Sequence, residues 1–310
     1  MQEPMESQFH AGIIHHMAFP QVIRGDGPIL ETLEQIAVDP YFAAVEVTRM
    51  KDAAVRKQAA EMLATAGLDV IFAAVPPMLQ EGLSLCALDD AARRKALDLT
   101  REMMDQAYEL GANIMVVASG PDPGEADRAA ATTAFADSLR QLCDDAQEKA
   151  GASMLSISIE NFDRTLDKKM LIGPTAEAAA IVTGIWEEYS NLGLTIDLSH
   201  QALLRESVQD MVLNAIEHLI HVHIGNCVIE DTSHPAWGDR HPRFGVPGGV
   251  VGTEELKRFL ESLVYAGYFK KSTPTTMPVI SFEVQPMAGE KPELVIANAK
   301  RALSQAWARL

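Results

Sequence analysis

Eight short apolar or β-branched runs, alternating with longer amphipathic stretches along the whole 310-residue chain, constrain its fold more than any other feature. GIIHHMAF (from Gly12), AAVEV (from Ala43), LDVIFAAV (from Leu68) and NIMVVAS (from Asn113) read as four strands. ASMLSISIE (from Ala152), LGLTIDL (from Leu192), LIHVHIG (from Leu219) and PVISFEV (from Pro278) read as four more. Between them, segments such as KDAAVRKQAAEMLATAG, ending on Gly67, and DDAARRKALDLTREMMDQAYELG, ending on Gly111, repeat apolar residues at helical spacing. Eight strand–helix units with no linker-like break predict one α/β domain over residues 1–310, a (β/α)8 TIM barrel. About 250 residues is usual for that fold, so the surplus would be loop insertions, chiefly a long active-site loop at about 225–252. A doubly wound sheet is the competitor, but no G-x-G-x-x-G follows the first run and there is no phosphate-binding lysine loop. GVPGGVVG, from Gly245, reads as a structural loop.

The formal charge of −17 argues against a nucleic-acid surface, which needs clustered Lys and Arg. Cys86, Cys143 and Cys227 are too few and too scattered for a disulfide framework, which suggests a reducing compartment. MQEPMESQFH is acidic where a secretory leader would be basic. No run approaches the roughly 20 apolar residues that span a bilayer. The expectation is a cytoplasmic protein with no membrane or nucleic-acid partner.

In a TIM barrel the active site lies at the carboxyl ends of the strands. There the fifth, sixth, seventh and eighth runs carry Glu160, Asp197, His223 and Glu283. One strand-end acid can simply cap a helix or pair with a lysine. Four such residues on consecutive strands, each after an apolar run where an unpaired charge is costly, suggest a common purpose. Three carboxylates and one imidazole form an oxygen-rich site for one divalent cation, which would also relieve repulsion among the acids. Mn2+ is the first choice, with Mg2+, Co2+ or Zn2+ as alternatives; Zn2+ usually takes more nitrogen or sulfur. His221 points to the same strand face as His223 but one layer deeper, where a hydrogen-bonded core role is expected. His200, three residues past Asp197, can reach substrate or a second metal. Arg240 offers a planar donor set for substrate oxygens, or a surface salt bridge.

Taken in order, SIEN (Glu160), IDLSH (Asp197, His200), HVHIGN (His223), GDRHPRFG (Asp239, Arg240, His241) and SFEV (Glu283) resemble the xylose-isomerase-like barrel superfamily. That group includes sugar isomerases, ketose 3-epimerases, inosose dehydratases and endonuclease IV-type repair enzymes. The resemblance implies that Glu160, Asp197, His223 and Glu283 are metal ligands and that the two glutamates exchange protons on either face of a sugar. It implies substrate contacts for His200 and Arg240 and, by a looser match, Glu46; His15 and His241 join these candidates. The repair nucleases need further histidines from strands three and four, which VIFAAVPP and IMVVASGP lack, although Asp239 and His241 match their D-x-H pair. The long loop containing SHPAWGDRHPRFG looks more like members acting on 3-keto sugars and glycosides, including metal-binding subunits of C-glycoside-cleaving enzymes.

The expected activity is therefore metal-dependent isomerisation or epimerisation of a keto-sugar by proton abstraction beside a carbonyl. The alternative is a lyase eliminating the aglycone of a 3-keto-glycoside, with His200, His234 or His241 as base. A non-catalytic sugar-binding subunit is a third possibility. The expected partners are a small sugar or glycoside and, through the Ala-, Leu- and Met-rich helices, a second copy of the chain or a companion subunit.

Overall fold

The computed structural model of the chain describes residues 4–151 and 153–310. Among these, eight parallel strands close a barrel in sequence order, β8 returning to β1 through Ala11↔Ile280 and Gly12↔Ser281. The strands are β1 His10–Ile14, β2 Ala44–Thr48, β3 Asp69–Ala73, β4 Ala112–Val117, β5 Ser156–Glu160, β6 Leu192–Asp197, β7 Leu219–Ile224 and β8 Val279–Phe282. Around and between them run α1 His15–Ala18, α2 Ile29–Ala37, α3 Ala53–Ala66, α4 Val75–Glu81, α5 Asp90–Glu109 and α6 Arg128–Lys149. The second half adds α7 Thr175–Trp186, α8 Leu198–Leu204, α9 Val208–Ala215, α10 Thr253–Ala266 and α11 Pro292–Trp307. The (β/α)8 architecture read from the alternating runs is the observed one.

Local chemistry sets the helix ends. Asp52 caps α3 by accepting from the N–H groups of Ala54 and Val55 at 2.7 and 3.2 Å, and Gly67 ends it in the left-handed region at φ 69°. Asp89 caps α5 in the same way through Ala92.

Expected boundaries differ at several strands, among them the first and the fifth. The first run was expected to stay extended past Gly12, but β1 stops at Ile14 and His15–Ala18 make one helical turn. A short apolar run fits either conformation, and burial of Ala18 and Phe19 is served by the turn. The fifth strand begins at Ser156; the Ala152 start expected for it lies outside the described residues.

The large apolar core lies between strands and helices, with Ile13, Val45, Phe72, Met115, Ile157 and Phe259 fully buried. Inside the barrel, Ala44, Ile71, Ile114, Val116 and Val279 pack on the β2–β4 and β8 side. β5–β7 turn polar groups inward, Ser158 meeting Thr195 at 2.6 Å. Position 12 must be small: a Cβ there would sit 2.5 Å from Ser281 Oγ and 3.2 Å from Ala44 Cβ. The inward polar groups share β5–β7 with Glu160, Asp197 and His223, whereas Glu46 and Glu283 come from β2 and the end of β8.

The opposite, amino-terminal end is tied by Asp69. Its carboxylate takes hydrogen bonds from His10 Nδ1 (2.8 Å), Thr276 Oγ1 (2.6 Å) and the Thr276 N–H (3.1 Å). Burial works against its ionisation, but the His10 and Thr276 bonds hold the carboxyl below its ordinary range. A lowered folded-state pKa contributes stability at pH values above the unfolded-state value, near 4, and loses it as the pH falls through the folded-state one. Asp69→Ala should therefore cost about 2 kcal/mol near neutrality, with the wild-type advantage shrinking below about pH 4. Denaturant unfolding of both proteins across pH 3–7 checks this.

Candidate active site and metal centre

The carboxyl ends of the strands bring two side-chain groups side by side. In the first, Glu160, His223 and Glu283 place donor atoms within 4.8 Å of one another. His223 Nδ1 lies 3.2 Å from Glu160 Oε1 and 3.0 Å from Glu283 Oε2. Its Nε2 lies 2.8 Å from Glu46 Oε2, which is also 3.1 Å from His221 Nε2. Burial opposes a charge on His223, but Glu46 and Glu160 outweigh it and push the imidazole pKa well above its ordinary value. Burial likewise opposes ionisation of Glu46, and His223 and His221 reverse it, holding the carboxyl well below the usual range.

The donor set fits a divalent cation. Glu46 engages Nε2 of His223, the carboxylate support that orients a metal-binding histidine, and leaves Nδ1 facing two further carboxylates. Glu283 Oε2 is buried and faces His223 Nδ1 at 3.0 Å, a nitrogen that also faces Glu160 Oε1 at 3.2 Å. One proton shared by two acids is a poor substitute for a 2+ ion.

The second group is Asp197, His200, Asp239 and His241, all buried, which also have the spacing to hold a metal. Asp239 Oδ1 lies 2.9 Å from His241 Nε2 and 3.3 Å from His200 Nε2. Asp197 Oδ2 lies 3.6 Å from both His200 Nε2 and His241 Nδ1. Despite burial, Asp239 and Asp197 raise the His200 pKa to about 10, while Glu283 and Asp239 raise that of His241 to about 9. Asp239 is pushed the other way, well below the carboxylate range, by His241, His200 and Lys168. His241 joins the groups: its Nε2 is also 3.3 Å from Glu283 Oε1.

A cavity of about 260 Å3 opens onto this end. Glu46, Glu160, His223 and Glu283 line it, with Lys168, Asp239, Arg240, His241 and Gln285. Ile14, Met17, Val75, Leu79 and Phe162 supply apolar lining.

These positions refine the expectations. Glu160, His223 and Glu283 converge. Asp197, expected as their fourth partner, is grouped with His200 and Asp239 and caps α8, accepting from the Ser199 N–H at 2.9 Å and from the Ser199 hydroxyl. It remains in register beside His223. Glu46 supports His223 and His221 besides lining the cavity, and His221 is a buried hydrogen-bonded residue.

His200 does not line the cavity: its ring packs 4.6 Å from that of Phe162 and its Nδ1 bonds Asn161 O at 2.9 Å. His15 is also displaced from the expected substrate contact. The helical turn at the end of β1 points it at Thr32 Oγ1, 2.8 Å away, and His16 lines the cavity instead. Burial lowers the pKa of His15 to about 3 and that of His16 to about 4. His234 is absent from the lining, whereas Arg240 and His241 are in it. Sequence reasoning overlooked Lys168, His16 and Gln285; Lys168 lies in DRTLDKKM, whose mixed charges carry no signal of a site.

A family model described as the xylose isomerase-like TIM barrel matches residues 35–278. No curated protein matches the sequence. Among solved structures, a D-tagatose 3-epimerase-like protein superposes with a TM-score of 0.70 at 18% identity, covering 97% of this chain and 99% of that one. The 3-keto-D-glucoside 4-epimerase YcjR from E. coli gives 0.65 at 16% identity, covering 96% and 99%. IOLI protein with a bound zinc atom gives 0.72 at 13% identity, covering 97% and 99%. Among the described residues, no helix is long and apolar enough to cross a membrane.

Proposed function

The chain belongs to the xylose isomerase-like TIM-barrel family, and from that premise we propose that it is a divalent-metal-dependent isomerase or epimerase of a small keto-sugar. The observation that carries the proposal is the trio Glu160, His223 and Glu283 at the cavity, where one imidazole nitrogen faces two carboxylates. Glu160, Glu283 and His223 Nδ1 would hold the cation, with Asp197, in register beside His223, as fourth ligand. Mn2+, Mg2+ or Co2+ suit this oxygen-rich set better than Zn2+. When bound, such a cation polarises a carbonyl and stabilises negative charge on its oxygen.

Glu283 and Glu160 are the acid–base pair that moves the proton on the neighbouring carbon. His241, against Glu283 Oε1, steadies that carboxylate, and Glu46 fixes the His223 ring. Arg240 and His241 contact substrate oxygens from the loop. The sugar epimerases named among the structural neighbours share the fold at low identity, which supports the reaction class.

The apolar lining formed by Met17, Val75, Leu79 and Phe162 favours a second reading, elimination of an apolar aglycone from a 3-keto-glycoside. Of the three histidines expected as its base, His241 alone lines the cavity, and with its pKa raised to about 9 it would first have to give up a proton. Incubating the protein with Mn2+, 2-ketoses and aryl 3-keto-glucosides in D2O separates the outcomes. Deuterium beside the carbonyl together with an epimeric product is expected. Released aglycone would favour the lyase, and no exchange on any substrate would refute both.

A further inference from the structure

The connection between β5 and α7, residues 161–174, holds none of the residues assigned above to chemistry, yet it is closely tied to the mouth of the barrel. Asp163, buried, accepts hydrogen bonds from the backbone N–H groups of Leu166 (2.5 Å), Asp167 (2.9 Å) and Lys168 (2.9 Å). That fold of the loop presents the next two side chains to a single residue across the cavity mouth. Lys168 Nζ lies 3.0 Å from Asp239 Oδ2 and donates to the Asp239 carbonyl at 3.2 Å. Asp167 Oδ2 accepts the Asp239 N–H at 2.9 Å. The second contact needs glycine at 238: a Cβ there would lie 2.7 Å from Asp167 Oδ2, and φ is 84°. Asp239 is thus held at its carboxylate, carbonyl and amide by two adjacent residues.

Beyond Asp239 the chain of contacts runs to the proposed chemistry. Asp239 Oδ1 faces His241 Nε2 at 2.9 Å, and the same nitrogen is 3.3 Å from Glu283 Oε1. His241 has φ 49°, a left-handed backbone unusual for a histidine, and its carbonyl accepts from the Gln285 N–H at 2.6 Å. Such a conformation persists only where its surroundings impose it.

We propose that Lys168 is a positioning residue: acting through Asp239, it fixes His241 against Glu283 and so sets the orientation of the carboxylate that moves the proton. Its effect on turnover rests on the proposed function, but the latch itself does not. With Lys168 in place, Oδ2 of Asp239 is occupied and Oδ1 is left for the imidazole. Without it, the buried carboxylate loses its Oδ2 partner and is held through Oδ1 by His241 and His200 alone.

The test compares Lys168→Met and Lys168→Arg, with Asp167→Ala as a second variant that keeps the lysine and removes the hold on the Asp239 N–H. His241 ring signals, assigned by 15N NMR, report the latch without any substrate. Steady-state kinetics on an accepted keto-sugar report its consequence. Lys168→Met should shift the His241 signals and lower kcat by about 10–100-fold with KM within about twofold, since small misplacements of a reacting group cost that much. Lys168→Arg should restore most of both, and Asp167→Ala should move the His241 signals in the same direction. Unmoved His241 signals in Lys168→Met would overturn the latch. A raised KM with unchanged kcat would overturn positioning and make Lys168 a substrate-binding group. Absence of turnover by the wild type would count against the proposed function alone, and the NMR comparison would still decide the latch.

Discussion

Glu283→Gln is expected to lower kcat by about 10²–10⁴-fold while the protein stays folded, the range over which a positioned acid or base contributes. Glu283 follows β8 and its side chain is 13% exposed, against 6% for Glu160 and 2% for Glu46. It is the carboxylate of the first group most open to the cavity. Its two oxygens divide between His241, 3.3 Å from Oε1, and His223 Nδ1, 3.0 Å from Oε2. Glutamine keeps the shape and an oxygen donor but cannot take up a proton at neutral pH. KM should change much less than kcat, because the removed interaction belongs to the transition state. Kinetics on the metal-loaded variant check this; unchanged turnover with metal still bound would remove Glu283 from the acid–base pair.

The second large effect is on metal affinity. Glu160→Gln removes one of two carboxylates that face His223 Nδ1 in a site where every donor is buried or nearly so. Loss of a supporting group that only orients a ligand typically costs 10–100-fold in affinity. Loss of a charged ligand should cost at least about 100-fold, while Glu46→Gln, which only weakens the hold on His223 Nε2, should stay within that 10–100-fold range. Titration of chelator-stripped protein with Mn2+ ranks the two. Equal affinities would place the cation elsewhere, and the quartet of Asp197, His200, Asp239 and His241 would be the candidate.

The barrel was readable because strands of a parallel barrel are buried on both faces and show as largely apolar runs such as VISF in β8 and IMVV in β4. The strand-end acids were readable for a related reason: a charge after such a run stands out, and parallel strands put those ends together. Asp197 shows where this stops. Its position beside His223 follows from strand order, but its capping of Ser199 and its contact with two histidines depend on loops. HHMAF turns directly after Ile14, a step no periodicity announces, and it points His15 at Thr32 and sets His16 on the cavity. Lys168 and Asp239 lie 71 residues apart, so no local pattern could have paired them.

The central claim is a divalent cation held by Glu160, His223 and Glu283, and metal analysis of protein purified without added cations tests it most directly. Wild type should carry about one equivalent of Mn, Mg, Co or Zn, and Glu160→Gln should lose it. No metal in the wild type, with both proteins equally stable to chelator, would contradict the account and leave the barrel without its proposed chemistry.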